Sequence, residues 1–288
     1  MALHIITVAN QNKYYFDYLK KSIEKNNGKL TVLGFGMEWK GFVWRFKLMK
    51  QYLLNLNKKD IVCFIDGFDV ICVNNINNII KKFNSIKKRE KCKVITGFDN
   101  IPNKIINFIN SLYFSNKINK QVINAGTYIG TVCDILEIFN SLNLNNLNDN
   151  MDDQILLNQY YLTHIKNIYI DINAELFLTI GCPLTDLDKF VTIKNNTVYY
   201  NKSNPFFIHA AGSGYLDTIL KKLDYNLNYN IAKEIKNDYF KKTLKIIINN
   251  SVIFLNQHKY NILFLIIIIL YFIQSWEVVS KHTQPDII

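Results

Sequence analysis

The chain has 288 residues, 49% of them hydrophobic and 20% charged, which is ample for one sizeable core, or for one domain with an appendage. Lys and Arg outnumber Asp and Glu 34 to 23, giving a net charge of +11, part of it in Lys81-Lys82 and Lys87-Lys88-Arg89. No nucleic-acid-binding module accompanies that charge, so a solvated helix face is the favoured reading and no nucleic-acid partner is expected. Asn, Ile and Lys are used heavily in loops and periodic segments alike, which fits an A/T-rich genome and excludes a prion-like tract.

The N-terminus has no basic region and no long apolar core, so it reads as a first strand, Ile5 to Ala9, and not as a signal peptide. Tyr15 to Glu24 has helical periodicity through Phe16, Leu19 and Ile23. Lys29 to Phe35 is a second strand, followed by a polar segment with Trp39, Lys40 and Gly41. Val43 to Leu54 is a helix, Ile61 to Ile65 a third strand, Ile76 to Phe83 a helix and Lys93 to Gly97 a fourth strand. This alternation predicts an α/β fold with a mostly parallel sheet that gathers ligands at the strands' C-terminal ends. Asn100 to Lys120 is polar, with one helix around Ile105 to Phe114. Val122 to Gly130 is a strand bent by small residues, Val132 to Leu142 a helix and Asn143 to Asn150 an Asn-rich loop. Another helix starts at Met151-Asp152-Asp153-Gln154, acidic residues first, as the macrodipole favours. Short strands are expected at Ile168 to Ile172, Phe190 to Ile193, Thr197 to Tyr200 and Phe206 to His209. The five cysteines, at 63, 72, 92, 133 and 182, have no C-x-x-C spacing and read as free thiols in a reducing compartment.

Ile61 to Ile65 has the length and β-branched content of a buried strand, and Asp66-Gly67-Phe68-Asp69 follows at once. An unpaired carboxylate is costly inside a strand, so Asp66 belongs at its exit. A turn at Gly67 can bring Asp69 back beside it. Two hard oxygen ligands on one turn suit Mg²⁺ or Mn²⁺ held with a substrate phosphate; the same residues also serve as ordinary turn formers. Asn124, Asp152, Asp153 and His209 likewise fall at or near predicted element ends. His209 could complete an Asp, Asp, His metal site or be a satisfied strand-end histidine. Gly212 and Gly214 beyond it leave backbone N–H groups open to a phosphate. Asp152 and Asp153 could serve chemistry or cap the helix.

After Tyr215 the character changes. Ile219 to Leu244 looks helical and basic, and Ile246 to Leu255 is largely apolar. Ile262 to Ile273 is uninterrupted apolar sequence; with its aromatic flanks it would span about 25 Å as a helix. Lys259 and Lys281 fit interface anchoring, so a C-terminal membrane anchor is expected in preference to a core helix or strand. The division drawn from sequence is a catalytic domain over 1–216, a basic helical extension over 217–258 and a hydrophobic tail over 259–288. An anchored tail and no leader place the catalytic domain at the cytoplasmic face. The sequons at Asn195, Asn201 and Asn249 matter only in the secretory pathway.

The segments Ile6-Thr7-Val8-Ala9, Leu33 to Gly41, Asp66 to Val70, Asn124 to Gly130, Asp152-Asp153-Gln154 and Ile208 to Gly212, in this order and spacing, resemble the glycosyltransferase domain of the procollagen lysyl hydroxylase (PLOD) family, in the stand-alone form carried by giant viruses. The resemblance implies a GT-A-type fold, a UDP-sugar donor and Mn²⁺. It implies Asp66, Asp69 and His209 as metal ligands, and Thr7, Trp39, Arg45, Phe68 and Gly212 on the donor side, with Phe68 beside the uracil. Asp152 and Asp153 match the end of a polyaspartate run needed for transfer, and Asn124 an acceptor-side asparagine. The family's tryptophans before the Asn124 strand are replaced by Phe98 to Pro102, and a lysine after the histidine-glycine turn is missing. The activity implied is retaining transfer of glucose from UDP-glucose to galactosyl-hydroxylysine of collagen or a collagen-like protein. The alternatives are galactose transfer from UDP-galactose to hydroxylysine by the same fold, or a membrane-tethered binding protein without catalysis.

Overall fold

The computed structural model describes residues 1–102, 122–227 and 230–244. The first part runs β1 (Leu3–Val8), α1 (Phe16–Lys25), β2 (Leu30–Leu33), α2 (Phe42–Leu53), β3 (Ile61–Ile65), a short β4 (Val70–Cys72), α3 (Ile79–Glu90) and β5 (Val94–Phe98). The second part runs β6 (Ile123–Thr131), α4 (Val132–Ser141), α5 (Asp153–Thr163), β7 (Ile168–Asp171), β8 (Phe177–Thr179), β9 (Thr192–Lys194), β10 (Thr197–Tyr199), β11 (Phe207–His209) and α6 (Asp217–Lys222). The predicted alternation is the one observed, and the third strand falls on the residues expected. β4 and β8 are three-residue strands that no periodicity of length four or more would reveal. Of the strand expected over Phe190 to Ile193, Thr192 and Ile193 open β9, while Phe190 ends a 3-10 turn, Leu187–Phe190.

Six strands form the central sheet in the order β2-β1-β3-β6-β5-β7. β1 pairs parallel with β2 and β3, and β5 parallel with β7. β6 alone runs the other way, antiparallel to both β3 and β5. β3 is central and all five of its residues are buried. Its side chains alternate between two cores, as the two-residue period of a strand dictates. Val62 and Phe64 face α2, α4 and α5. Ile61, Cys63 and Ile65 face α1 and α3. Burial on both faces is why this strand reads as a continuous apolar run. Phe64 also stacks on Tyr128 of β6, rings 4.8 Å apart.

A second sheet, β4-β11-β8, packs around a third core. β11 pairs antiparallel with β4 and parallel with β8. Leu216, Ile219, Leu220, Leu223, Ile231 and Ile235 are buried in that core. The compact unit accordingly runs from Met1 to Lys236, and residue 216 lies inside it. α6 ends at Lys222 and the chain is helical again over 230–244, where the sequence suggested one helix throughout. The expected helix around Ile105 to Phe114, the apolar stretches Ile246 to Leu255 and Ile262 to Ile273, and the anchor reading lie outside the described residues. Among those described, no helix is long and apolar enough to cross a membrane. The described cysteines are all free thiols.

Candidate active site

Asp66 follows β3 directly and Asp69 closes the turn that leads into β4. His209 is the last residue of β11, and the β4/β11 register pairs it with Val70. The turn is tied to the histidine strand again where the Ala210 N–H donates to the Asp69 carbonyl at 2.8 Å. The short strand β4 therefore brings residue 209 beside residues 66 and 69. His209 Nε2 lies 3.3 Å from Asp69 Oδ1 and 3.8 Å from Asp66 Oδ2. One ligand atom from each of the three lies within 4.8 Å of the others. Burial works against protonation of His209, but Asp69 and then Asp66 outweigh it and hold its pKa above the ordinary histidine value, with a smaller push from Asp99.

These residues fit a divalent cation. Two carboxylates and one imidazole are a mixed oxygen and nitrogen set of the kind that divalent metal ions take. The space around them is also kept clear by β6. A Cβ on Gly126 would lie 2.5 Å from Asp66 Oδ2 and 2.5 Å from His209 Cε1. Only a glycine lets this strand pass so close, and the Gly126 carbonyl accepts the Asp66 N–H at 2.8 Å. Gly126 was part of the quoted motif but was not singled out in the sequence. A glycine between Ala125 and Thr127, two residues after Asn124 in a largely apolar strand, is the signal for such a close approach.

Arg45 on α2 is buried and lies between two carboxylates. Its Nε donates to Asp153 Oδ2 at 2.6 Å, its NH2 group pairs with the same oxygen, and its NH1 group pairs with Asp66 Oδ1. The guanidinium rests near the Phe64 and Phe42 rings, 5.2 and 5.5 Å from their centroids. Burial opposes its charge, yet Asp153 and Asp66 more than offset that and raise its pKa. Burial pushes the Asp153 carboxyl up to about 6, against the pull of Arg45. Asp152 and Asp153 thus have separate tasks. Asp152 caps α5, accepting the N–H groups of Gln154 and Ile155 at 2.8 and 3.1 Å, while Asp153 turns inward to Arg45.

Asn124 is buried on β6, and its Oδ1 accepts the Gly126 N–H at 3.0 Å. Thr7 is buried on β1 beneath the Asp66–Asp69 turn; a Cβ on Gly67 would lie 3.0 Å from its hydroxyl. Phe68 is half-buried against Tyr14 and Phe16. Trp39 contacts Phe42 and Trp44 edge-on and is 36% exposed. Gly212 lies in the turn after β11 at φ +71°, with nothing within 4 Å of where a Cβ would be. So Asp66, Asp69, His209, Asn124, Arg45, Asp153 and Thr7 gather around one strand end, whereas the ring contacts of Trp39 are to Phe42 and Trp44 in the first turn of α2. Asp99, at the end of β5, was not among the expected site residues. It is buried, accepts from Gln154 Nε2 at 3.3 Å, and acts electrostatically on His209.

A mostly parallel α/β sheet with this cluster at its strand ends defines the class: an α/β domain with a candidate cation site at the strands' ends. Residues 1–239 match the family model of the PLOD GT domain, and the chain belongs to that family. Procollagen-lysine,2-oxoglutarate 5-dioxygenase 2 of Homo sapiens is 29% identical over 195 residues, 62% of this chain and 25% of that protein. The type 1 protein of Gallus gallus is 25% identical over 246 residues, 79% of this chain and 32% of that one. The chain thus spans about a quarter to a third of the length of these curated relatives. A crystal structure of a glycosyltransferase involved in the glycosylation of the major capsid of PBCV-1 aligns with a TM-score of 0.44 at 15% identity, covering 74% of this chain and 96% of that one.

Proposed function

We propose that this domain transfers glucose from UDP-glucose to galactosyl-hydroxylysine in collagen or a collagen-like protein, with retention at the anomeric carbon. The observation that carries the reading is the convergence of Asp66, Asp69 and His209 within 4.8 Å, at the end of a buried strand and beside the Arg45–Asp153 pair. Mn²⁺ bound there would act as a Lewis acid on the donor diphosphate and make UDP a better leaving group. The chain's own residues do the rest. Asp66 and Asp69 supply negative charge, and His209 supplies Nε2. Thr7 and Phe68, next to the Asp66–Asp69 turn, are suited to the uridine, with Trp39 and Gly212 assigned to the donor on family resemblance. Arg45 stands beside Asp66, where it can meet a donor phosphate as well as orient the carboxylates. Asp153, with Asp152 at the helix start, would orient the acceptor hydroxyl or steady positive charge at the sugar, and Asn124 is assigned to the acceptor side on family resemblance.

The test is UDP release from UDP-glucose with Mn²⁺ and a galactosylated collagen peptide. Activity is expected with the wild type and loss of at least about a hundredfold with Asp66→Ala. Release from UDP-galactose with an unglycosylated hydroxylysine peptide, and not from UDP-glucose, would move the assignment to the galactosyltransferase alternative. No release with any sugar donor, and equal behaviour of Asp66→Ala, would remove catalysis from the reading. A C-terminal anchor at the cytoplasmic face belongs to the same proposal; fractionation of the full chain against one ending at Asn250 tests it.

A further inference from the structure

Metal-bound histidines almost always donate their second ring N–H to a fixed partner, which sets the tautomer and aims the other nitrogen at the ion. Here His209 Nε2 faces Asp66 and Asp69, while Nδ1 is buried with no protein partner. Two threonine hydroxyls nearby are in the same condition. Thr127 and Thr179 are 0% and 2% exposed, and neither Oγ1 has a hydrogen-bond partner. Buried hydroxyls without a partner are rare, because each costs its full desolvation.

These groups face one volume. Thr179 is the direct neighbour of His209 in the parallel β8/β11 register, so both side chains leave the same face of that sheet. Thr127 reaches the same space from β6, its hydroxyl lying with that of Thr179 against Gly97 of β5. Gly97 of β5 leaves the space open. A Cβ there would collide with Thr127 Oγ1 and lie 3.0 Å from Thr179 Oγ1. The two hydroxyls are therefore close enough for a single water to bond both. Two hydroxyls and a ring nitrogen meet the two to four polar partners that a buried water needs.

We propose that Thr127 and Thr179 hold one buried water against His209 Nδ1, and that through it they act as positioning residues for the metal ligand. With an ion on Nε2, the water would accept the Nδ1–H and donate to the two hydroxyls, holding the ring with Nε2 directed to the place between Asp66 and Asp69. The inference rests on the Asp66, Asp69, His209 metal reading and adds the support behind the histidine.

Thr→Val removes the hydroxyl at almost constant volume. Mn²⁺ affinity by calorimetry and melting temperature are compared in the wild type, Thr179→Val, Thr127→Val/Thr179→Val and Thr179→Ser, and crystals of the metal-free wild type and double variant are solved to look for the water. The valine variants should bind Mn²⁺ about 10- to 100-fold more weakly with an unchanged or raised melting temperature. Thr179→Ser should recover wild-type affinity. The wild type should show an ordered water within hydrogen-bond distance of both hydroxyls and His209 Nδ1, and the double variant none. Unchanged affinity in the double variant, or no such water in the wild type, overturns the proposal. Failure of the wild type to bind Mn²⁺ would overturn the metal reading instead, and the crystal structures then still decide whether the threonines hold the water.

Discussion

Arg45 Nε lies 2.6 Å from Asp153 Oδ2 inside the protein, and the other end of the same guanidinium pairs with Asp66. One cation from α2 thus joins a carboxylate of the metal group to a carboxylate of α5. The planar fork of an arginine can hold two carboxylates at once, which a lysine point charge does less well. Arg45→Met leaves two carboxylates without that partner, one of them buried. Breaking a buried pair in this way costs about 3–5 kcal/mol, and urea unfolding should show a loss of that size. Arg45→Lys should lose less. If Arg45→Met were as stable as the wild type, the pair would be incidental to the fold.

Gly126→Ala tests the close approach of β6 to the metal group. The added methyl would lie 2.5 Å from both Asp66 Oδ2 and His209 Cε1, so one of the two ligands has to move. Calorimetry should show Mn²⁺ binding weakened by at least about tenfold, which corresponds to ~1.4 kcal/mol. Circular dichroism should remain that of the wild type, because the clash is confined to side chains at the strand end. Wild-type Mn²⁺ affinity in this variant would show that the ion is bound elsewhere.

The pH dependence of metal binding follows from His209. Burial lowers its pKa, but Asp69 and Asp66 more than reverse that, so the folded value is raised. A raised value means that the protonated imidazole stabilises the metal-free fold. That contribution is complete below the unfolded value of about 6.5 and is lost as pH rises through the folded value. Mn²⁺ needs Nε2 without its proton, so ion and proton compete for it. Binding measured at about pH 6 and about pH 8 should be several-fold tighter at the higher pH. Equal affinities would take His209 out of the ligand set.

Asp171 offers a test of stability away from the chemistry. Its buried carboxylate accepts the N–H groups of Glu175, Leu176 and Phe177 at 2.9, 2.7 and 3.0 Å, fixing the chain between β7 and β8. Burial raises its pKa even against these three donors. Asp171→Asn turns an amide N–H₂ toward a backbone N–H and should cost about 1–3 kcal/mol in denaturant unfolding. Mn²⁺ affinity of the folded variant should stay at the wild-type value, since the change touches none of Asp66, Asp69 and His209.

The expected elements that the structure describes were legible where burial imposes a period. β3 shows this most directly, because a central strand covered on both faces must be apolar throughout. Asp66, Asp69 and His209 were legible for a related reason. Charged groups right after apolar runs have to mark strand exits, since inside the strand they would be desolvated. The short strands β4 and β8 were not legible, because three residues carry no usable period. Nor was the partner of Arg45. Its contacts with Asp66 and Asp153 span 21 and 108 positions in the chain, and no local pattern encodes a contact of that range.

The sequence by itself therefore determined an alternating α/β chain, its central strand and the residue types of a candidate cation site. Only the tertiary structure decided how those residues meet. The reversal of β6 sets Thr127 opposite Ile65, so Gly126 and Asn124 come just beyond the end of β3, beside Asp66. The pairing of β4 with β11 brings His209 to Asp69. Both results depend on strand direction and register, which arise from the packing of the three cores and are not properties of any one segment. The chain also contains two adjacent aspartates, and folding separates their roles. Asp152 caps a helix at the surface, and Asp153 is buried against Arg45 because successive residues at a helix start point in different directions.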